Sequence, residues 1–337
     1  MGLHTSREVT GEIPGNQEPE NTLAADNGSS SIVSQIGVYA YAADLYSIIY
    51  LLSGDYFIRG AIGVKSALKI ESLQNPRVKA AVRLNEARER ATQQRTLVEG
   101  YRPLLRAVEN GYPLEEVYFC PTLFLGGNEP ALLERAAQAG AGLIEVTEEA
   151  LRKMATRNRP EGLLAVAPIV RRPLQSHQPG ARGFYLIVER IERPGNLGTI
   201  FRSADAAGVE GIVICDPQTD AFNPEVIRAS IGAVFSTPMF EARSADALAW
   251  CRHYGLQTVA ATPHTELLYT AADFTQPLAI VVGAEKVGLS ELWLTQADLR
   301  VRIPMLGQAD SLNVATATTL LLYEVVRQRG VSAPPCP

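Results

Sequence analysis

The stretch FYLIVERIERPGNLGTIFRSADAAG (184–208) reads as a strand, a loop and a helix. FYLIVERI (184–191) is apolar almost throughout, as a strand covered on both faces would be. ERPGNLG (192–198) reads as a loop in which Gly195 and Gly198 let the backbone approach a ligand or another chain closely. TIFRSADAAG (199–208) reads as a helix. The alternation continues to the end of the chain. Further strands are expected at EGIVIC (210–215), TPMFEA (237–242), QTVAAT (257–262), LAIVVGA (278–284) and LRVRIPM (299–305). Further helices are expected at PEVIRASIGAVF (224–235), ADALAWCRHYG (245–255) and SLNVATATTLLLYEVVRQR (311–329). Apolar strands separated by helices predict an α/β fold with a parallel sheet covered on both faces. In such sheets ligands bind beyond the carboxyl ends of the strands.

Toward the N-terminus, RRPLQSHQPGAR (171–182) reads as a linker. Residues 66–170 read as a second, smaller α/β domain. Its helices are NPRVKAAVRLNEARERATQQR (75–95), RPLLRAVENG (102–111), EPALLERAAQAG (129–140) and EEALRKMAT (148–156). Its strands are TLVEG (96–100), LEEVYFC (114–120), GLIEVT (142–147) and GLLAVAP (162–168). Two domains suit a 337-residue chain with 46% apolar residues. Residues 1–65 read as an extension: a polar tail to residue 33, then an apolar stretch from Ile36 to Leu52. That stretch falls short of the ~20 residues of a membrane helix, and Asp44 within it costs about 2.5–3.5 kcal/mol on the insertion scale, so no membrane partner is expected. Residues 331–337 read as a short tail.

Bulk charge decides little. The chain carries a formal −5; residues 1–65 hold seven acids and three bases, or −4, leaving −1 for the rest. Local basic groups matter more. Between Arg77 and Arg106 there are eight bases and three acids, and a second group comprises Arg152, Lys153, Arg157, Arg159, Arg171 and Arg172. Such groups suit phosphate, although either alone is also what a solvated helix face looks like. The four cysteines, Cys120, Cys215, Cys251 and Cys336, form no CxxC pair and stand at no ligand spacing from histidine. No metal site or disulfide framework is therefore expected. Free thiols and a polar N-terminus without a signal-peptide pattern fit a cytoplasmic protein.

Three loops carry candidate chemistry. The first holds Asn196, with Arg202 on the helix that follows; alone it is a Gly-rich turn beside a surface arginine. It is not GxGxxG, so a dinucleotide oxidoreductase gains no motif support. The second, VVGAEKVGLS (281–290), is a tight turn holding one acid, Glu285, which a helix dipole alone would favour. In the third, Pro304 ends a strand, and Ser311 and Asn313 open a long apolar helix, Ser311 as its expected N-cap. That helix is apolar nearly all round and is expected to be buried, partly in a subunit interface.

Taken together, NLGTIFR (196–202), GAEKVG (283–288) and the run IPM…DSLNVA…LYE (303–324) resemble the SpoU/TrmH family of SPOUT RNA 2′-O-methyltransferases. The resemblance spans 182–329. It extends more loosely over 72–170, which is similar to the family's substrate-binding domain of ribosomal protein L30e type. It implies a SPOUT methyltransferase domain over 183–330 with a trefoil knot, an exception to the unknotted rule. It also implies S-adenosylmethionine as cofactor and a homodimer with composite sites. Its motif residues fall on Asn196, Arg202, Glu285, Ser311 and Asn313. Cofactor contacts, largely from backbone, are implied at Ala261, Thr262, Gly283, Ile303, Met305 and Leu312. RNA contacts are expected from Arg77, Arg83 and Arg102, and from Arg228, which matches a family arginine near the substrate. One departure is Ala315, where the family often has serine.

A ribose hydroxyl must lose its proton close to the electrophilic methyl, so positioning is the main requirement. Arg202, which stays charged, suits a clamp on the adjacent phosphate and on the developing alkoxide. Glu285, Ser311 and Asn313 would orient it, the hydroxyl or the cofactor. Ribosomal RNA is the preferred substrate. Transfer RNA methylation and a non-catalytic RNA-binding or ribosome-assembly role on the same fold are the alternatives.

Overall fold

Residues 68–330 are described by the structure, a computed structural model; the extension 1–65, its apolar stretch and the tail 331–337 lie outside the described residues. They build two sheets. The first contains β1 (Leu68–Ile70), β2 (Arg95–Glu99), β3 (Glu116–Phe119), β4 (Gly142–Val146) and β5 (Leu163–Pro168) in the order β1-β4-β3-β5-β2. β1 and β3 run parallel to β4, whereas β5 is antiparallel to both β3 and β2. Its helices are α1 (Pro76–Arg83), α2 (Ala87–Gln93), α3 (Tyr101–Glu109), α4 (Glu129–Gln138) and α5 (Glu148–Met154). The helix expected over 75–95 is thus broken. The break lets Arg90 turn inward, where its Nη1 donates to the carbonyls of Leu84 and Asn85, both at 3.0 Å.

The second sheet contains β6 (Arg172–Pro173), β7 (Phe184–Glu189), β8 (Gly211–Cys215), β9 (Met239–Ala242), β10 (Gln257–Ala261), β11 (Leu278–Val282) and β12 (Leu299–Val301). Their order is β12-β10-β11-β7-β8-β9-β6, and every pairing is parallel. Residues 171–182, read as a linker, therefore add a short edge strand. The strands alternate between two apolar layers. Leu186, Val188 and Ile280 join one core with Ile200, Phe201 and Leu321. Tyr185, Ile187 and Val281 join another with Trp250 and Trp293.

The helices of this half are α6 (Pro194–Ala206), α7 (Pro224–Ala229), α8 (Ser244–His253), α9 (Glu291–Gln296) and α10 (Val314–Arg329). Two expectations are corrected. PGNLG, read as loop, forms the first turns of α6: Pro194 fits the opening position, where its fixed φ is pre-organised and its missing N–H is no loss. The helix expected over 224–235 ends at Ala229, because Ile231 and Gly232 both have positive φ, 55° and 82°.

The core that contains Leu186 and Ile200 also includes Val98, Leu104 and Leu133 from the first half, so apolar packing is continuous between the two sheets. Polar ties cross the same boundary. Arg90 is 2% exposed, and its Nε pairs with Asp220 Oδ2 at 3.0 Å. Thr96 Oγ1 donates to the Phe222 carbonyl at 2.5 Å. Arg90, one of the eight bases between Arg77 and Arg106, is therefore removed from any RNA-facing surface. Loss of Asp220 would leave a buried, unpaired guanidinium. Asp220→Ala is expected to lower the unfolding free energy by roughly 3–5 kcal/mol, whereas Arg243→Ala, which breaks only the surface pair with Asp246, leaves the urea midpoint unchanged.

Candidate active site

Because the strands of the second sheet are parallel, β7, β11, β10 and β12 all end on one side, and the three loops meet there. Asn196, on the first turn of α6, donates from Nδ2 to Glu285 Oε1 at 2.8 Å. Asn313 Nδ2 donates to the same oxygen at 2.7 Å and to Asn196 Oδ1 at 3.1 Å. Asn313 Oδ1 accepts from the N–H of Ala315 at 3.0 Å and so caps α10. The N-cap is therefore Asn313, not the expected Ser311; Ser311 is exposed two residues upstream of it. Ala315 is buried against the core, where its methyl packs and its N–H is already satisfied.

The loop that carries Glu285 is fixed from behind. Gly283 approaches the following turn so closely that a Cβ there would lie 2.5 Å from the carbonyl of Gly288. Farther along, Ser290 donates its N–H to Glu189 Oε2 and its hydroxyl to Glu189 Oε1, both at 2.7 Å. Glu189 Oε1 also accepts from Ser244 Oγ at 2.7 Å. Glu189 is 1% exposed at the end of β7. The sequence reading missed this positioning role; the available signal was an acid at the end of an otherwise apolar strand.

The expected cofactor positions converge on adjacent strand ends. Ala261 closes β10, Thr262 donates its N–H to the Val301 carbonyl at 3.0 Å, and Gly283 follows β11. Ile303, Met305 and Leu312 are half-buried along the segment after β12. Arg302 anchors the start of that segment: its N–H donates to Leu267 O at 2.9 Å and its carbonyl accepts from Tyr269 N at 3.0 Å. From 303 to 312 no backbone group is hydrogen-bonded to the described residues. Backbone donors and acceptors need partners in the protein only where they are buried from water, and Pro304 and residues 306–311 are exposed. The segment is irregular, with bends at 307, 308 and 310, so its amides are open to solvent or to a ligand, and half-buried Ile303, Met305 and Leu312 give it apolar surface.

Arg202 does not join the Glu285 cluster. It lies six residues beyond Asn196 on α6, about 9 Å along the axis and roughly 120° around it; it is exposed and makes no hydrogen bond or ion pair within the described residues. Of the expected RNA contacts, Arg77 pairs with Glu116 at 2.8 Å and Arg228 donates to Thr156 Oγ1 at 2.9 Å. Arg83 and Arg102 are exposed and unpaired within the described residues. Burial pushes the Cys215 and Cys251 thiols up, Cys251 to about 12, so neither is a nucleophile near neutral pH.

Residues 183–323 match the family model described as SpoU rRNA Methylase, and residues 75–165 match the MRM3-like substrate binding domain. The chain is 33% identical over 247 residues to a 23S rRNA (uridine(2479)-2′-O)-methyltransferase of Streptomyces viridochromogenes, covering 69% of this chain and 83% of the relative. A crystal structure of an RNA 2′-O ribose methyltransferase is 42% identical, with a TM-score of 0.68, and covers 78% of this chain and 100% of its own. An AdoMet-bound rRNA methyltransferase of Sinorhizobium meliloti is 30% identical, with a TM-score of 0.71, and covers 77% and 98%.

The first turns of α6 give a test of this packing. A Cβ at Gly198 would lie 2.5 Å from Ala229 Cβ and 2.8 Å from Val226 O, whereas one at Gly195 meets nothing within 4 Å. Gly198→Ala is expected to destabilise by about 1–3 kcal/mol through overpacking. Gly195→Ala is expected to be neutral or to stabilise by up to ~1 kcal/mol through helix propensity. Paired urea titrations measure both; equal effects would contradict the α6–α7 contact.

Proposed function

The chain belongs to the SpoU rRNA methylase family, and from that membership we propose that it transfers the methyl group of S-adenosylmethionine to a ribose 2′-hydroxyl of ribosomal RNA. The observation that carries this reading is the convergence of Asn196, Glu285 and Asn313 beside the free backbone of 303–312, at the carboxyl ends of adjacent parallel strands. Ribosomal RNA is preferred to transfer RNA because of the named 23S relative and the rRNA methylase family model. No described helix is long and apolar enough to cross a membrane, and a cytoplasmic setting is part of the proposal.

S-adenosylmethionine supplies a methyl group on a cationic sulfur. Ala261, Thr262, Gly283, Ile303, Met305 and Leu312 would hold it. Glu285, through Asn196 and Asn313, keeps the start of α6, the 283–288 loop and the start of α10 in register around it. Ser311, exposed two residues before Asn313, would bond the incoming ribose or the cofactor. Arg202 would hold the phosphate next to the reacting ribose and stabilise the alkoxide as its proton leaves.

Arg202 stands apart from the cluster in one copy of the chain, which supports completion of the site by a second copy. Leu320 and Tyr323, 39% and 47% exposed on α10, offer part of the interface for that homodimer. A trefoil knot is part of the same proposal. It is supported by the path of the chain, which leaves β12 at the sheet edge, passes the Leu267–Tyr269 strap and returns to Glu285 at the centre. The residues matching the MRM3-like model would form the L30e-like RNA-binding domain.

S-adenosylhomocysteine at about 100 times its dissociation constant should stabilise the fold by about 2.7 kcal/mol; no shift in the melting temperature of ligand-free protein would count against the cofactor site. Arg202→Ala should reduce methyl transfer into ribosomal RNA by ~100-fold or more, or on the order of 2.7–4 kcal/mol, with calorimetric affinity for S-adenosylhomocysteine unchanged. Arg202→Lys should not restore the rate, because an ammonium lacks the planar fork. Near-normal turnover in Arg202→Ala would overturn its role, and equal loss of cofactor affinity would make it a structural residue.

A further inference from the structure

A cleft of about 530 Å³ opens between α3 and the turn after α7, and none of its lining residues belongs to the Glu285 cluster. Its volume falls in the ~300–1,000 Å³ range of small-ligand sites. Two guanidiniums line it with donors to spare. Arg102 makes no hydrogen bond or ion pair within the described residues, and Arg228 makes one bond, to Thr156 Oγ1, and enters no ion pair. Arg157, also on the lining, is ion-paired with Glu161, which accepts from the N–H of Tyr101 at 3.3 Å and so closes the start of α3.

Two further features make this a built site. Glu129 lines the cleft yet is only 3% exposed. Its Oε1 accepts from the N–H groups of Leu125 and Gly126, at 3.1 and 2.9 Å, while its Oε2 is buried with no partner. A buried carboxylate oxygen without a donor is costly, and a ligand N–H would offset that cost. Ile231, also on the lining, sits at φ 55°, a left-handed conformation rare for a β-branched residue and typical of strained ligand sites. The half-buried Tyr101 and the 78% exposed Leu125 add apolar surface for a flat ring.

We propose that this cleft takes one unpaired nucleotide of the RNA substrate, other than the nucleotide that is methylated. Its phosphate lies on Arg102 and Arg228, its base lies against Tyr101 and Leu125, and an exocyclic amine of the base donates to Glu129 Oε2 once the carboxylate, closed to solvent as it stands, turns toward the cleft. The proposal rests on the RNA methyltransferase reading for the identity of the polymer; the nucleotide chemistry rests on the cleft itself.

The test uses the full chain saturated with S-adenosylhomocysteine, so that the cofactor site is filled, and titrates it calorimetrically with 5′-AMP, GMP, CMP and UMP. At least one amine-bearing nucleotide should bind about tenfold more tightly than UMP, the discrimination of one well-placed base contact. Glu129→Gln should erase that preference. Arg102→Ala and Arg228→Ala should each weaken every nucleotide by about fivefold or more. In methylation of ribosomal RNA, Tyr101→Ala should raise KM by about tenfold while kcat stays within about threefold. Absence of nucleotide binding, equal affinity for all four, or binding untouched by the arginine substitutions would overturn the proposal. Nucleotide binding by a protein that transfers no methyl to ribosomal RNA would instead reject the proposed function and leave the cleft standing.

Discussion

Oxygen Oε1 of Glu285 accepts amide hydrogens from residues 89 positions before it and 28 after it, and the site is organised around that shared acceptor. Its two donors also fix each other: Asn313 donates to Asn196 while its own oxygen caps α10. Asn313 therefore has a single consistent orientation, oxygen toward the helix N-terminus and nitrogen toward the carboxylate. The convergence is possible because β7 and β11 are parallel neighbours, so the turns that follow them open on the same side. Glu189, buried at the end of β7, then holds the far end of the Glu285 loop through Ser290. Two carboxylates, one half-exposed and one buried, thus set the loop from both ends.

The same economy of charge shapes the boundary between the two halves. Arg90 is buried against Asp220, and Arg95 and Arg106 pair with Glu115 and Asp205. Arg90–Asp220 and Arg106–Asp205 cross that boundary, whereas Arg95–Glu115 and Arg77–Glu116 pair within the first half, so four of the eight bases between residues 77 and 106 are neutralised in place. Cations are left for a polyanion on the surface: among the described residues Lys79, Arg83, Arg88, Arg102, Lys153, Arg159, Arg202 and Lys286 are exposed without partners. Local cations of this kind can meet phosphates even in a chain whose formal net charge is −5.

Strands and most helices of both halves could be read from hydrophobic pattern, because buried parallel strands leave long apolar runs. β1 and β6 could not: Leu68–Ile70 is three residues long and one of them is lysine, and Arg172–Pro173 is two residues with no apolar run. The start of α6 was hidden because Pro, Gly, Asn and Gly are turn formers in isolation; only the close crossing with α7 explains why glycine occupies position 198 inside a helix. Ser311 and Asn313 are both good caps, and choosing between them needs the position of Glu285, which is a tertiary fact. Arg90 read as surface charge for the same reason, since its partner lies 130 residues away. Asn196, Glu285 and Asn313 were legible as a set through the family resemblance, but not the hydrogen bonds that join them.

The central claim is chemical: the methyl group goes to a ribose oxygen. A 2′-O-methyl group removes the very hydroxyl whose ionised oxygen attacks the adjacent phosphodiester when alkali cleaves the RNA chain. The direct measurement is to incubate ribosomal RNA with the protein and S-adenosylmethionine labelled in its methyl group, hydrolyse the RNA in alkali, and separate the products by size. The account predicts label in alkali-resistant dinucleotides. Label confined to mononucleotides would place the methyl on a base and contradict it.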